Sequence, residues 1–188
     1  MTTHYIDFRV VPDPETSTPQ LLGVLFGKFH HALVQMKVDD IGVSFPQYSR
    51  KPRGLGCVLR LHGTQAALHR LMQVDWLKGI RDYVRMTEIT GVPEASRYRS
   101  VTRKQFKTNA DRLRRRRMKR KGENAEQATQ AIPASIERKP ELPYIHLRSQ
   151  STGQGFQLFI ALGPLLDKPV TGAFNTYGLG GQATIPWF

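Results

Sequence analysis

The chain has 188 residues, 39% of them hydrophobic, a single cysteine (Cys57) and a formal net charge of +13. That content supports a packed core in one or two small domains, leaves no second thiol for an intrachain disulfide, and fits a reducing compartment. No apolar run approaches the roughly 18 residues of a membrane span, and the N-terminus lacks a secretion-signal pattern, so a cytoplasmic protein is expected.

The elements follow in order. His4 to Val11 alternates Ile6, Phe8 and Val10 with Tyr5, Asp7 and Arg9, a strand pattern that Pro12 ends. Leu22, Leu25, Phe29, Leu33 and Met36 recur at helical spacing across Gln20 to Lys37. Ile41 to Phe45 reads as a second strand, Ser49 to Gly56 as a basic loop, and Cys57 to His62 as a third strand. Gly63 and Thr64 open a short helix that runs to Met72, and Arg81 to Glu88 reads as a fourth strand. The order β-α-β-β-α-β over residues 4 to 88 predicts a ferredoxin-like unit. Thr90 to Ser96 is a linker, and Tyr98 to Phe106 leads into a basic helix. Glu123 to Ala131 predicts a second short helix. Tyr144 to Ser149 and Phe156 to Leu162 predict a hairpin, and Phe174 to Leu179 and Thr184 to Phe188 complete a β-rich end. The expected fold is α+β, with a ferredoxin-like domain over residues 1–95. A β-rich RNA-binding domain with an arginine-rich helix follows over 96–188.

The stretch from Asn109 to Lys121 dominates the charge. Residues 101 to 121 hold eleven basic residues and one acid, so they carry +10 of the +13. Thr108 or Asn109 can cap this helix, Asp111 suits its positive end, and Gly122 suits a left-handed stop. Leu113 and Met118 stand five apart and form no apolar stripe. A helix charged all round needs solvent or a polyanion beside it. The density of the run points to nucleic acid.

The chain contains no Cys pair, no H-x-x-x-H and no H-E-x-x-H, and its acids form no compact cluster, so neither metal nor other cofactor is expected. RNA can be cut without metal, because its own 2′-hydroxyl can attack the neighbouring phosphate. That reaction needs a proton carrier, groups that orient the ribose, and positive charge near the phosphate. Six histidines are available: His4, His30, His31, His62, His69 and His146. His30 sits at the edge of the apolar stripe of the first helix, about 100° round from Phe29, and His31 a further step toward the polar side. Arg148 to Gly153 has the composition of an ordinary hairpin turn. The Asn175 to Gly181 loop lacks the strand-to-helix setting of a phosphate-binding motif. From these residues alone an RNA-cutting enzyme, a non-catalytic structured-RNA-binding protein and a DNA-binding protein all stay open.

Several segments in the same order carry a resemblance. They are L-F-G-K-F-H (Leu25 to His30), I-G-V-S-F-P (Ile41 to Pro46), the pair Arg103 and Gln105, and the helix R-L-R-R-R-R-M-K-R. They continue with L-R-S-Q-S-T-G-Q (Leu147 to Gln154) and the end Y-G-L…P-W-F. Together they resemble the repeat-cleaving endoribonucleases of type I-F CRISPR systems, over nearly the whole chain. The resemblance implies metal-independent cleavage of a CRISPR precursor RNA 3′ of the repeat stem-loop, leaving a 2′,3′-cyclic phosphate. The product then stays bound to an enzyme that is monomeric when free and joins the other subunits of the type I-F surveillance complex. It implies His30 as the acid/base residue, Ser149 as the holder of the attacking ribose, and Tyr177 as the support of the histidine. Ser151 and Phe156 would position nucleotides near the cut. Arg103 and Gln105 would read bases low in the stem, and Arg112, Arg115, Arg116, Lys119 and Arg120 would contact the RNA along the helix. The chain departs from the family pattern at Arg117 and Lys121, where an apolar residue and a histidine are expected, and in a shorter glycine loop near the end.

Overall fold

The computed structural model describes residues 2–106, 110–136, 140–149 and 152–188. It is a mixed α/β structure whose strands all pair antiparallel. Packing divides the chain into two compact units: Met1–Lys104 with Leu142–Phe188, and Gln105–Glu141.

The first unit opens with β1 (His4–Val10), α1 (Thr18–Met36) and β2 (Gly42–Ser44). A small hairpin of β3 (Ser49–Arg50) and β4 (Arg53–Gly54) stands where a plain loop was expected. β5 (Val58–Gly63) and α2 (Gln65–Met72) follow, the helix capped by the Thr64 hydroxyl, which accepts from the Ala67 amide. A 3-10 turn over Arg81–Tyr83 shortens the fourth expected strand to β6 (Val84–Met86). The expected linker contributes β7 (Thr90–Gly91), which also pairs with β1. The sheet order is β2-β5-β1-β6. Ile6 faces Leu61 and Phe8 faces Leu59 across β1 and β5, and all four side chains are buried. Alternation therefore gives the sheet one apolar face, and α1 and α2 pack on its strands.

The rest of this unit comes from later in the chain. β8 (Arg97–Arg99) pairs with β12 (Ile185–Trp187). The three-stranded sheet β10-β11-β9 is built from β9 (Val101–Lys104), β10 (Tyr144–Arg148) and β11 (Gly155–Leu162). Phe174 to Leu179, expected as a strand, makes only the single bridge Phe174 to Gly180 among the described residues. Phe26, Phe29 and Leu33 of α1 share one core cluster with Ile145, Leu147, Leu158 and Ile160 of β10 and β11. Gly23 lets the helix close on β10: a Cβ added there would stand 2.5 Å from the carbonyl oxygen of His146.

The second unit holds α3 (Ala110–Lys121) and α4 (Ala125–Ala131), which pack together. Gly122 ends α3 at φ +67°, its amide donating to Met118 O at 2.9 Å. The proposed caps Thr108 and Asn109 lie outside the described residues. A packed face does exist on α3, contrary to the expectation from Leu113 and Met118 alone. Ala110 is buried, and Leu113, Arg114, Arg117 and Met118 are half-buried. The stems of the two arginines complete the stripe, since long basic side chains can bury carbon while keeping the head group bonded. Arg114 donates to Ile132 O and to Asp111, and Arg117 forks onto Glu123 through Nε and Nη2.

Candidate active site

α1 carries Gly27, His30 and His31 to one wall of a cleft of about 310 Å³. β10 and the turn after it bring Leu147, Arg148 and Ser149, β11 brings Phe156, and the C-terminal loop brings Tyr177. The three residues expected to act together, His30, Ser149 and Tyr177, thus line one volume although they lie far apart in the chain.

His30 is held on two sides. Its ring stacks on Tyr177 with centroids 3.9 Å apart and planes 6° from parallel. Its Nδ1 lies 2.7 Å from the carbonyl oxygen of Thr176. A carbonyl only accepts, so Nδ1 carries the proton in this bond and Nε2 is the nitrogen left for proton exchange. Tyr177 also stacks on Phe26 at 6.1 Å, one helical turn before His30. Residues four apart share a helix face, so Phe26 and His30 together seat one tyrosine ring.

The loop that delivers Tyr177 is built by Asn175. Its Oδ1 accepts from the amides of Tyr177 at 2.8 Å and Leu179 at 3.2 Å, and its carbonyl accepts from Gly178. The Gly180 amide donates to Val101 O, and Gly178 O accepts from Val43, which ties the loop to β2. The amides of Tyr177 to Gly180 are therefore spent within the fold and are not turned to a phosphate. Gly178 has φ +69°, and a Cβ there would meet the Phe29 ring at 2.9 Å.

Ser149 ends β10 in a tight turn. Its amide donates to Gln154 O, its carbonyl accepts from Gly153, and its hydroxyl accepts from Thr152 N at 3.3 Å. Arg148 Nε donates to Gly153 O at 2.9 Å and closes the same turn. Ser151 lies outside the described residues. Arg103, exposed on β9, holds its guanidinium 5.9 Å from the Phe156 ring centroid, a cation–π approach. Gln105 is exposed and belongs to the second unit.

On α3 the five residues Arg112, Arg115, Arg116, Lys119 and Arg120 recur at three- and four-residue steps and are all exposed. They form one cationic face. Arg114 and Arg117, equally basic in sequence, are turned into the packing instead.

Of the other histidines, His62 is fully buried, with Ser44 Oγ 2.8 Å from its Nε2. His31 lines the cleft beside His30, a place the helical wheel did not give it. Spacing along α1 carries no information about β10, which packs on this helix. Thr176 was also missed, because it acts through its carbonyl and not its side chain. Among the described residues no three His, Cys, Asp or Glu side chains gather in a metal-holding group, and no helix is long and apolar enough to cross a membrane.

Comparison with known proteins gives a consistent result. Residues 5–188 match the family described as CRISPR-associated protein (Cas_Csy4). The chain is 46% identical over 185 residues to a CRISPR-associated endonuclease Cas6/Csy4 of Pseudomonas aeruginosa (strain UCBPP-PA14), covering 98% of this chain and 99% of that one. It is 44% identical over 185 residues, with the same coverage, to a protein of the same description from Escherichia coli (strain UTI89 / UPEC).

Proposed function

Because this chain belongs to the Cas_Csy4 family of CRISPR-associated proteins, we propose that it is the endoribonuclease that cuts CRISPR precursor RNA 3′ of the repeat stem-loop. The single observation that carries this reading is the cleft in which His30, Ser149 and Tyr177 converge. The reaction is transesterification without metal. His30 Nε2 takes the 2′-hydroxyl proton, and the 2′ oxygen attacks the adjacent phosphorus. The 5′ oxygen leaves, and a 2′,3′-cyclic phosphate remains. Ser149 orients the attacking ribose. Tyr177 and the Thr176 carbonyl fix the imidazole, so little orientation is lost on reaching the transition state.

Phe156 and Ser151 position the nucleotides beside the cut, and Arg103 and Gln105 read bases low in the stem. Arg112, Arg115, Arg116, Lys119 and Arg120 bind phosphates. This suits A-form RNA, whose deep, narrow major groove side chains do not read, and arginine's fork matches phosphate oxygens. The division of labour is a ferredoxin-like part over residues 1–95 and an RNA-binding part over 96–188. The βαββαβ order, with β1 between β5 and β6, supports the first. The enzyme, a cytoplasmic monomer when free, keeps its product hairpin and joins the other subunits of the type I-F surveillance complex.

The test is incubation of the chain with a repeat hairpin in EDTA, with mapping of the product ends. A cyclic phosphate at a cut 3′ of the stem supports the reading, and strict dependence on a divalent ion overturns the chemistry. His30→Ala keeps hairpin affinity and loses cutting. Loss of both, or of neither, counts against the assigned role. A DNA copy of the hairpin, which lacks the attacking hydroxyl, stays intact.

A further inference from the structure

The cleft holds a second imidazole. His31 lines it beside His30, with ring centroids 5.4 Å apart and planes at 43°. Neighbouring residues on a helix point about 100° apart, so the two rings address the same volume from different directions. A helical side chain leans over the turn that precedes it. For His31 that turn carries Gly27, which places no side chain beneath the ring. The titratable and charged groups around it are Lys28 and His30 on α1, Arg148 on β10 and Tyr177 on the C-terminal loop. In the free chain, burial, then the charge of His30, then that of Lys28 hold the His31 pKa below its ordinary value. A phosphodiester anion in the cleft opposes those charges and favours the protonated ring.

We propose that His31 is the general acid of the cut, donating a proton to the departing 5′ oxygen while His30 receives the proton of the 2′-hydroxyl. The inference rests on His30 being the base. The bond from the 2′ oxygen to phosphorus forms and the bond from phosphorus to the 5′ oxygen breaks. His30 gains one proton and His31 loses one. The products are a 2′,3′-cyclic phosphate and a 5′-hydroxyl, and exchange with water resets both rings. With a hydrogen-bond reach of about 3 Å each, rings at this separation can serve the attacking and leaving oxygens of one phosphate.

The test uses the full chain on two hairpins, one natural and one with sulfur in place of the bridging 5′ oxygen at the cut. A thiolate leaves without protonation, because its conjugate acid is far stronger than an alcohol. His31→Gln slows cutting of the natural hairpin about 100-fold or more and cuts the sulfur hairpin at nearly the wild-type rate. His30→Ala is slow on both. Equal slowing of His31→Gln on both hairpins, or no slowing on either, overturns the acid role and leaves the base untouched. Normal cutting by His30→Ala overturns the base reading, and the acid role falls with it. The wild-type chain supplies an arm that needs no variant. Its rate on the natural hairpin falls at high pH as the acid deprotonates, and that fall is absent on the sulfur hairpin. A fall that persists with sulfur overturns the proposal.

Discussion

At the scale of the residue, the site depends on how one imidazole is held. Stacking of the Tyr177 ring on His30 needs the ring and not the hydroxyl. Tyr177→Phe therefore cuts at close to the wild-type rate. Tyr177→Leu loses the aromatic pair, worth about 0.5–1.5 kcal/mol, and slows single-turnover cutting by up to about tenfold. Equal activity of the two variants would show that the stack is incidental. His62 makes a separate prediction. Burial, and secondarily the Arg60 charge, push its pKa down from 6.5 to about 3. The folded state thus holds the neutral ring, and its contribution is complete above pH 6.5 and declines as pH falls toward 3. Each pH unit below 6.5 costs about 1.4 kcal/mol through this group. Thermal melts between pH 7 and pH 4 should fall more steeply for the wild type than for His62→Gln.

At the scale of the element, α1 brings two histidine rings to the cleft while packing closely on β10. Gly23→Ala drives a methyl group against the His146 carbonyl. Overpacking of this kind costs about 1–3 kcal/mol, or roughly 2–4 °C in Tm per kcal/mol for a chain of this size. On the proposed function it also displaces Ser149 from His30, so cutting falls more than hairpin affinity. α3 predicts a contrast between arginines that the sequence alone cannot rank. Arg115→Ala with Arg116→Ala removes exposed cations, and each lost phosphate contact lowers the salt slope of hairpin binding by about 1. Arg117→Ala instead breaks the fork on Glu123, whose carboxyl that hydrogen bond holds below its ordinary pKa. It lowers helix content by circular dichroism and leaves the slope closer to wild type. Arg117, where an apolar residue was expected, thus has a local reason, since it is half-buried and its charge is paired.

At the scale of the whole chain, the N-terminal sheet and the C-terminal strands share a core. Ile145, Leu147, Ile160 and Ile185 belong to the same cluster as Phe8, Phe26 and Leu59. A fragment of residues 1–95 would expose the side of α1 that β10 covers. It should lack a cooperative thermal transition unless residues 142–188 are supplied with it. Independent two-state folding of that fragment would show that the shared core is not needed.

Local pattern alone located α1, α2, the β10–β11 hairpin and the basic helix, because period and capping chemistry are properties of neighbouring residues. It missed the β3–β4 hairpin and β7, whose strands of two residues carry no period to read. His30 stood out among six histidines through family resemblance, not through its own spacing. The sequence by itself determined the charge, the order of elements and the types of residue available for chemistry. Only the tertiary structure decided which residues meet. His30, Ser149 and Tyr177 converge, His31 joins them, and α3 divides its arginines between surface and packing. Such meetings rest on contacts between segments up to about 150 positions apart, and no periodicity along the chain encodes a distance across it.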